Sequence, residues 1–152
     1  MATIDINQLK QLREEIGAGV SDCRAALEES GGDMEKAKEI LRKKGIERAE
    51  KKAEREIKAG LIYAYIHNGR VGAMVEVGCE TDFVAKTEDF VNLCKEVAMQ
   101  VASMNPENVE ELLNQAYIRD LKLTIGDLVK GVIGKLGENI QVRRIIRFSL
   151  SG

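Results

Sequence analysis

The sequence predicts an α+β protein: an N-terminal three-helix bundle, a linker helix, then a three-stranded antiparallel sheet packed by helices. Three observations predict it. Apolar residues recur at helical spacing between glycine stops over the first 45 residues. Two stretches of period two flank Asn68-Gly69. Helical periodicity then returns from about residue 88 and gives way to a β-branched tail. The expected division is a head over 1–45, a charged linker helix over 46–58 and an α+β core over 59–152.

Asp5 can cap the first helix, with Gln8 at the capping-box position, and Ile6, Leu9, Leu12 and Ile16 form its inward face until Gly17 and Gly19 interrupt it. Ser21 is the expected cap of a second helix that Gly31-Gly32 end. Asp33 caps a third, with Ala37, Ile40 and Leu41 inward and Gly45 as its stop. Ile46 to Lys58 alternates charge around a thin apolar stripe, which suits a solvated linker helix.

Asn68-Gly69 predicts a type I′ turn in a hairpin over 60–78. Pairing His67 with Arg70 would set Ile66 opposite Val71 and Ile62 opposite Val75 on one face, with Tyr65 over Gly72 and Tyr63 over Met74 on the other. Both faces are apolar enough to need cover. Helices are expected over about 88–104, 107–118 (Asn105 as cap, Pro106 in the first turn) and 125–136 (Thr124 and Asp127 as capping box, Gly137 as stop). A third strand is expected over 139–150.

Lys and Arg number 23 against 25 Asp and Glu, a balance unlike that of a dedicated nucleic-acid binder. The start of the chain has no apolar run of signal-peptide length, and no stretch reaches membrane-spanning length, so the expected location is the cytosol. Cys23, Cys79 and Cys94 form no CxxC pair and are read as reduced, buried thiols, with no metal site expected. One histidine, His67 at the hairpin turn, leaves little for nucleophilic catalysis, and no phosphate-binding glycine loop occurs; neither enzyme activity nor a cofactor is expected. Arg143, Arg144 and Arg147 could meet RNA phosphate or pair with acidic side chains; the second reading is preferred because aromatic stacking partners are few.

Glu80-Thr81-Asp82-Phe83-Val84 lies where the chain must turn sharply from strand to helix. Loop residues held by a rigid scaffold are frequent binding elements. The residues alone leave two readings open: a binding turn, or Phe83 packed in the core with Asp82 capping the turn.

LREEIGAGVSDCRAALEESGGDMEKAKEILRKKG (12–45), GRVGAMVEVGCETDFVAK (69–86) and KLGENIQVRRIIRF (135–148) resemble, in order, the signature regions of the elongation factor Ts family. The resemblance implies a ubiquitin-associated-like head and a guanine nucleotide exchange factor that promotes GDP release from elongation factor Tu. In the family, the Thr81-Asp82-Phe83-Val84 turn would enter the GTPase domain and disturb its phosphate and Mg²⁺ site, Phe83 as apolar wedge and Asp82 as polar member. By position, Arg13, Val20, Ser21 and Arg24 of the head would also face that partner, as would the Leu136-Gly137-Glu138-Asn139 turn, with Leu136 and Gly137 as its contact residues. Ile16, Val20-Ser21 and Arg24 depart from the family's usual Thr, apolar pair and Lys, and Leu136 stands for Ile.

Many members carry a duplicated core and a long helical hairpin, whereas this sequence has one hairpin sheet and a short stretch from Pro106 to Thr124. A symmetric homodimer could cover the sheet's second face. The competing reading is a ubiquitin-associated-like interaction and dimerisation module without exchange activity. Neither nucleic acid nor membrane is expected as a partner.

Overall fold

A computed structural model describes residues 4–151. Met1 to Thr3, part of the N-terminal segment read above, and Gly152 lie outside them. Helices α1 (Ile6–Ile16), α2 (Val20–Glu29) and α3 (Met34–Lys52) form the head. Asp5 caps α1 by accepting from the Asn7 N–H, and Asp33 caps α3 by accepting from Glu35 and Lys36 N–H. Gln8 makes no capping box; its amide donates to the Gly32 carbonyl at 3.1 Å and ties α1 to the α2–α3 turn. The cap of α2 is Gly19, two residues before the expected Ser21. Leu12, Cys23, Ala26, Leu27, Ala37 and Leu41 close a small apolar centre between the three helices.

The expected helix stop at Gly45 is not there: α3 continues without interruption to Lys52. The reason is packing. A Cβ on Gly134 would stand 3.0 Å from the Gly45 Cα, so α3 and the later helix that carries Gly134 cross almost backbone to backbone. A glycine inside a helix costs up to about 1 kcal/mol against alanine. The glycine that the crossing requires is Gly134, since a Cβ on Gly45 would meet nothing within 4 Å; Gly45 is carried through the helix without ending it.

Strands β1 (Ala59–His67), β2 (Val71–Cys79) and β5 (Gln141–Ser149) form an antiparallel sheet in the order β1-β2-β5. The fold is thus α+β, with a helix-covered three-stranded sheet following an N-terminal helical segment. The type I′ geometry is present: Asn68 and Gly69 have φ of 53° and 67°, and the Arg70 N–H donates to the His67 carbonyl at 3.0 Å. The register is nevertheless one residue from that expected. Arg70 stays out of the ladder, its carbonyl accepting from Leu150, and His67 pairs with Val71. Tyr63 therefore faces Val75, Tyr65 faces Ala73, Ile62 faces Glu76 and Ile66 faces Gly72.

Helix α5 (Glu88–Met104) lies across the face that carries Val75 and Val77, with Phe90, Leu93, Cys94, Val97, Ala98 and Val101 buried at three-four spacing. Helix α7 (Ile125–Leu136) adds Ile125, Val129 and Ile133, begins at the Thr124/Asp127 capping box and ends at Gly137. The other sheet face is open. Its rows Ile66-Gly72-Phe148 and Ala64-Met74-Ile146 leave Ile62, Ile66, Met74, Ile146 and Phe148 exposed. Arg144 pairs with Glu76 at 2.6 Å at one margin of that face, and Arg147 donates to the Ala102 carbonyl near the end of α5.

Between α5 and α7 the sequence reading fails in detail. Asn105 is the left-handed C-cap of α5 (φ 47°), not the cap of the next helix, which is Asn108. Helix α6 spans only Val109–Asn114 instead of 107–118. The chain then forms a ribbon, β3 (Ala116–Tyr117) and β4 (Asp120–Thr124). Fully buried Gln100 of α5 holds it, donating to the Ala116 carbonyl at 3.0 Å and accepting from the Ile118 N–H at 3.1 Å. The Tyr117 hydroxyl donates to Glu96; burial first, and then this bond, push its pKa up.

Candidate functional site

Strand β2 ends at Cys79, and Thr81 caps the four-residue helix α4 (Asp82–Ala85), its hydroxyl accepting from the Val84 N–H. Successive side chains on a helical turn diverge by about 100°. Val84 and Ala85 consequently point into the core, while Asp82 and Phe83 point out. Phe83 is 81% exposed, which excludes the reading that packs it in the core, and the cap is Thr81 rather than Asp82. Of the four residues expected to meet the partner, Val84 is only 5% exposed, and its side chain anchors the turn from below.

The turn is held by a second turn from the far end of the chain. Gly137, with φ of 77°, reverses the backbone after α7 and aims Glu138 at the start of α4. The Glu138 carboxylate accepts from the Glu80 N–H at 3.1 Å, the Thr81 N–H at 3.0 Å and the Thr81 hydroxyl at 2.7 Å. In return, the Glu80 carboxylate accepts from the Asn139 N–H at 2.6 Å. Buried Asn139 donates its side-chain amide to the carbonyls of Ala53 and Arg55, which stitches the segment after α3 to the same corner. Arg55 lies 3.6 Å from Glu80.

Beneath the turn the Cys79 thiol donates to the Thr81 carbonyl at 3.2 Å. Burial, and then the nearby Glu138 charge, push that thiol's pKa up; burial raises Cys94 to about 12. All three cysteines are free and buried.

Leu136 and Gly137 are half-buried in the turn that delivers Glu138. In the head, Arg13, Val20, Ser21 and Arg24 are all exposed. Arg48 pairs with Asp22 at 2.9 Å, holds its carboxyl below the usual carboxylate range and fixes the start of α2 on α3. The α1–α2 turn leans on α7: Gly17 abuts the Lys135 stem, whose amine meets Asp89 of α5 at 3.0 Å. The head turn, the Leu136–Gly137 turn and the Phe83 turn are thus linked through one corner of the molecule. Sequence reasoning found those segments but missed Glu138, Asn139 and Arg55 as the groups that join them. No local pattern announces contacts over 57 to 86 residues.

His67 is exposed, its ring nitrogen Nδ1 bonded to the Tyr65 hydroxyl at 2.9 Å. Among the described residues no group of three or more His, Cys, Asp and Glu could hold a metal ion, and no helix is long and apolar enough to cross a membrane.

Residues 80–152 match the family model described as elongation factor TS. Curated proteins named elongation factor Ts are similar over nearly the whole chain. That of Coprothermobacter proteolyticus is 44% identical, covering 97% of this chain and 98% of its own. That of Rippkaea orientalis is 43% identical over 99% of this chain and 79% of its own, and that of Thermoanaerobacter sp. strain X514 is 41% identical over 95% and 94%. The first alignment runs over 193 positions against a chain of 152 residues, so that relative carries segments with no counterpart here. With likeness of this extent, the chain belongs to the elongation factor Ts family.

Proposed function

We propose that the protein is a guanine nucleotide exchange factor, not an enzyme, that binds the cytosolic translation GTPase elongation factor Tu and speeds its release of GDP. The observation that carries the proposal is Phe83, an aromatic ring left in water on a turn that hydrogen bonds and buried neighbours hold fixed. Phe83 enters the GTPase domain as an apolar wedge, and Asp82 and Thr81 beside it disturb the groups that hold the phosphates and Mg²⁺. Arg13, Val20, Ser21 and Arg24 of the ubiquitin-associated-like head, with Leu136 and Gly137, meet the same domain from the adjoining corner.

Exchange makes no bond. A nanomolar GDP complex is worth about 12 kcal/mol, and weakening it a thousandfold needs about 4 kcal/mol of coupling. Burying one phenylalanine ring contributes about 1.5–3 kcal/mol, so the wedge and a few polar contacts reach that scale. Reciprocity completes the cycle, because the factor binds the empty GTPase more tightly by the same coupling energy and GTP entry then weakens the factor.

A second copy of the chain covers the open sheet face in this proposal. Ile62, Ile66, Met74, Ile146 and Phe148 form an exposed apolar patch that a two-fold sheet-on-sheet contact would bury. Sedimentation at micromolar concentration is expected to return a dimer; a monomer refutes this part alone.

The exchange proposal is tested by stopped-flow release of a fluorescent GDP analogue from purified elongation factor Tu, with Mg²⁺ and excess unlabelled GDP. Acceleration that rises with the concentration of this protein is expected. Unchanged release in the presence of the folded protein refutes it.

A further inference from the structure

We infer that Glu138 is a positioning residue for exchange: it does not meet the GTPase but fixes the direction in which Phe83 leaves the surface. The inference rests on the exchange reading above and assigns the glutamate of the Leu136–Asn139 turn an inward task.

The Glu80 and Thr81 N–H groups lie past the end of β2 and before the first turn of α4, where neither ladder nor helix supplies them an acceptor. A carboxylate is acceptor-only with room for about four hydrogen bonds. That of Glu138 takes both N–H groups on one oxygen and the Thr81 hydroxyl on the other, at 2.7 to 3.1 Å. Charge-assisted bonds of this kind are the stronger sort. Most of the carboxylate's capacity is spent inside the molecule. The Thr81 hydroxyl so engaged also caps α4, and Phe83 is the second residue of that helix. A rotation of the Thr81 backbone therefore swings Phe83 directly.

Glu138 is itself held. Gly137 sets its direction, and Asn139 is pinned through the Glu80 carboxylate and through the Ala53 and Arg55 carbonyls. Support thus runs from the end of α3 through Asn139 and Glu138 to Thr81 and so to the ring. Released from the carboxylate, the turn would populate several directions. If one in ten presents the ring correctly, the maximal exchange rate falls about tenfold. Affinity carried by the head contacts would change little, because the loss falls on a contact made late in the process.

The test compares the wild type with Glu138→Ala, Glu138→Asp and Glu138→Gln. Two readouts are taken: amide hydrogen exchange of Glu80 and Thr81 in the free protein, and GDP release over a series of factor concentrations. Glu138→Ala is expected to lose protection at both amides at least tenfold, with Val75 in the sheet unchanged. Its maximal release rate should fall roughly tenfold while the half-saturating concentration moves less than about twofold. Glu138→Asp keeps the charge but falls one methylene short, so it should behave like Glu138→Ala and serves if that variant folds poorly. Glu138→Gln retains an acceptor oxygen at the right reach and should recover most of both. Unaltered protection in Glu138→Ala, or lost protection with a normal maximal rate, overturns the role while leaving the exchange reading intact. A wild type that fails to accelerate release overturns the exchange reading, and the role with it.

Discussion

Phe83 and the open face of the sheet both leave apolar side chains in water, by opposite constructions. Phe83 is a single ring on a four-residue helix, with buried Val84 and Ala85 as its base and a carboxylate clamp at its side. The sheet face is a broad surface on which Ile66, Met74, Ile146 and Phe148 stand in adjoining cross-strand rows. One ring offers about 1.5–3 kcal/mol on burial, enough to tip an equilibrium but too little to hold a partner alone. Several such side chains together offer enough to offset the cost of lasting association. In the proposed function, the difference separates a contact made and broken in each exchange cycle from one that stays covered.

The comparison sharpens first against a phenylalanine that is not exposed at all. Phe90 is fully buried seven residues after Phe83, so Phe90→Ala should cost about 3–5 kcal/mol. Phe83→Ala should leave stability within about 0.5 kcal/mol. Chemical denaturation of both variants checks this, and equal losses would mean that Phe83 is a structural residue. Next, Ile146→Lys combined with Phe148→Lys should weaken self-association at least a hundredfold, about 3 kcal/mol or more, without loss of helix content. Sedimentation and circular dichroism read the two effects, and an unchanged dimer would place the interface elsewhere.

Phe83→Ala should then slow GDP release at least tenfold, about 1.4 kcal/mol, while self-association stays normal. A normal release rate would remove the wedge. Asp82→Ala should act in the same assay by only about threefold, being one polar contact where Phe83 is a buried ring. Kinetics indistinguishable from wild type would return Asp82 to an ordinary surface residue.

Much of this was legible in the sequence where local chemistry decides the outcome. The three-four spacing from Phe90 to Val101 and the Thr124/Asp127 box with Gly137 located α5 and α7 to within a residue. Distant partners decided the rest. Gly45 reads as a stop, yet Gly134 makes it a crossing point. Ala116 to Thr124 reads as a helix end and a connection, yet Gln100 and Glu96 hold it as a ribbon; the Leu121-Lys122-Leu123 alternation was the one available hint. Arg70 displaced the hairpin register because its carbonyl serves Leu150. The Phe83 turn was visible as a place, but the carboxylate that clamps it at Thr81, that of Glu138, lies 57 residues away in sequence.

The unbroken course of α3 makes residue count a design parameter. One helix carries the chain from the head's Asp33 cap past the crossing with α7 to Lys52, so the head's azimuth is set by helical phase. Inserting a single residue between Leu41 and Gly45 would rotate the head by about 100° and draw Gly17 away from Lys135. Inserting four would nearly restore the face but advance it about 6 Å along the screw axis. Length can vary in the 106–124 connection without disturbing that phase, whereas α3 behaves as a keyed shaft whose pitch aligns the two halves.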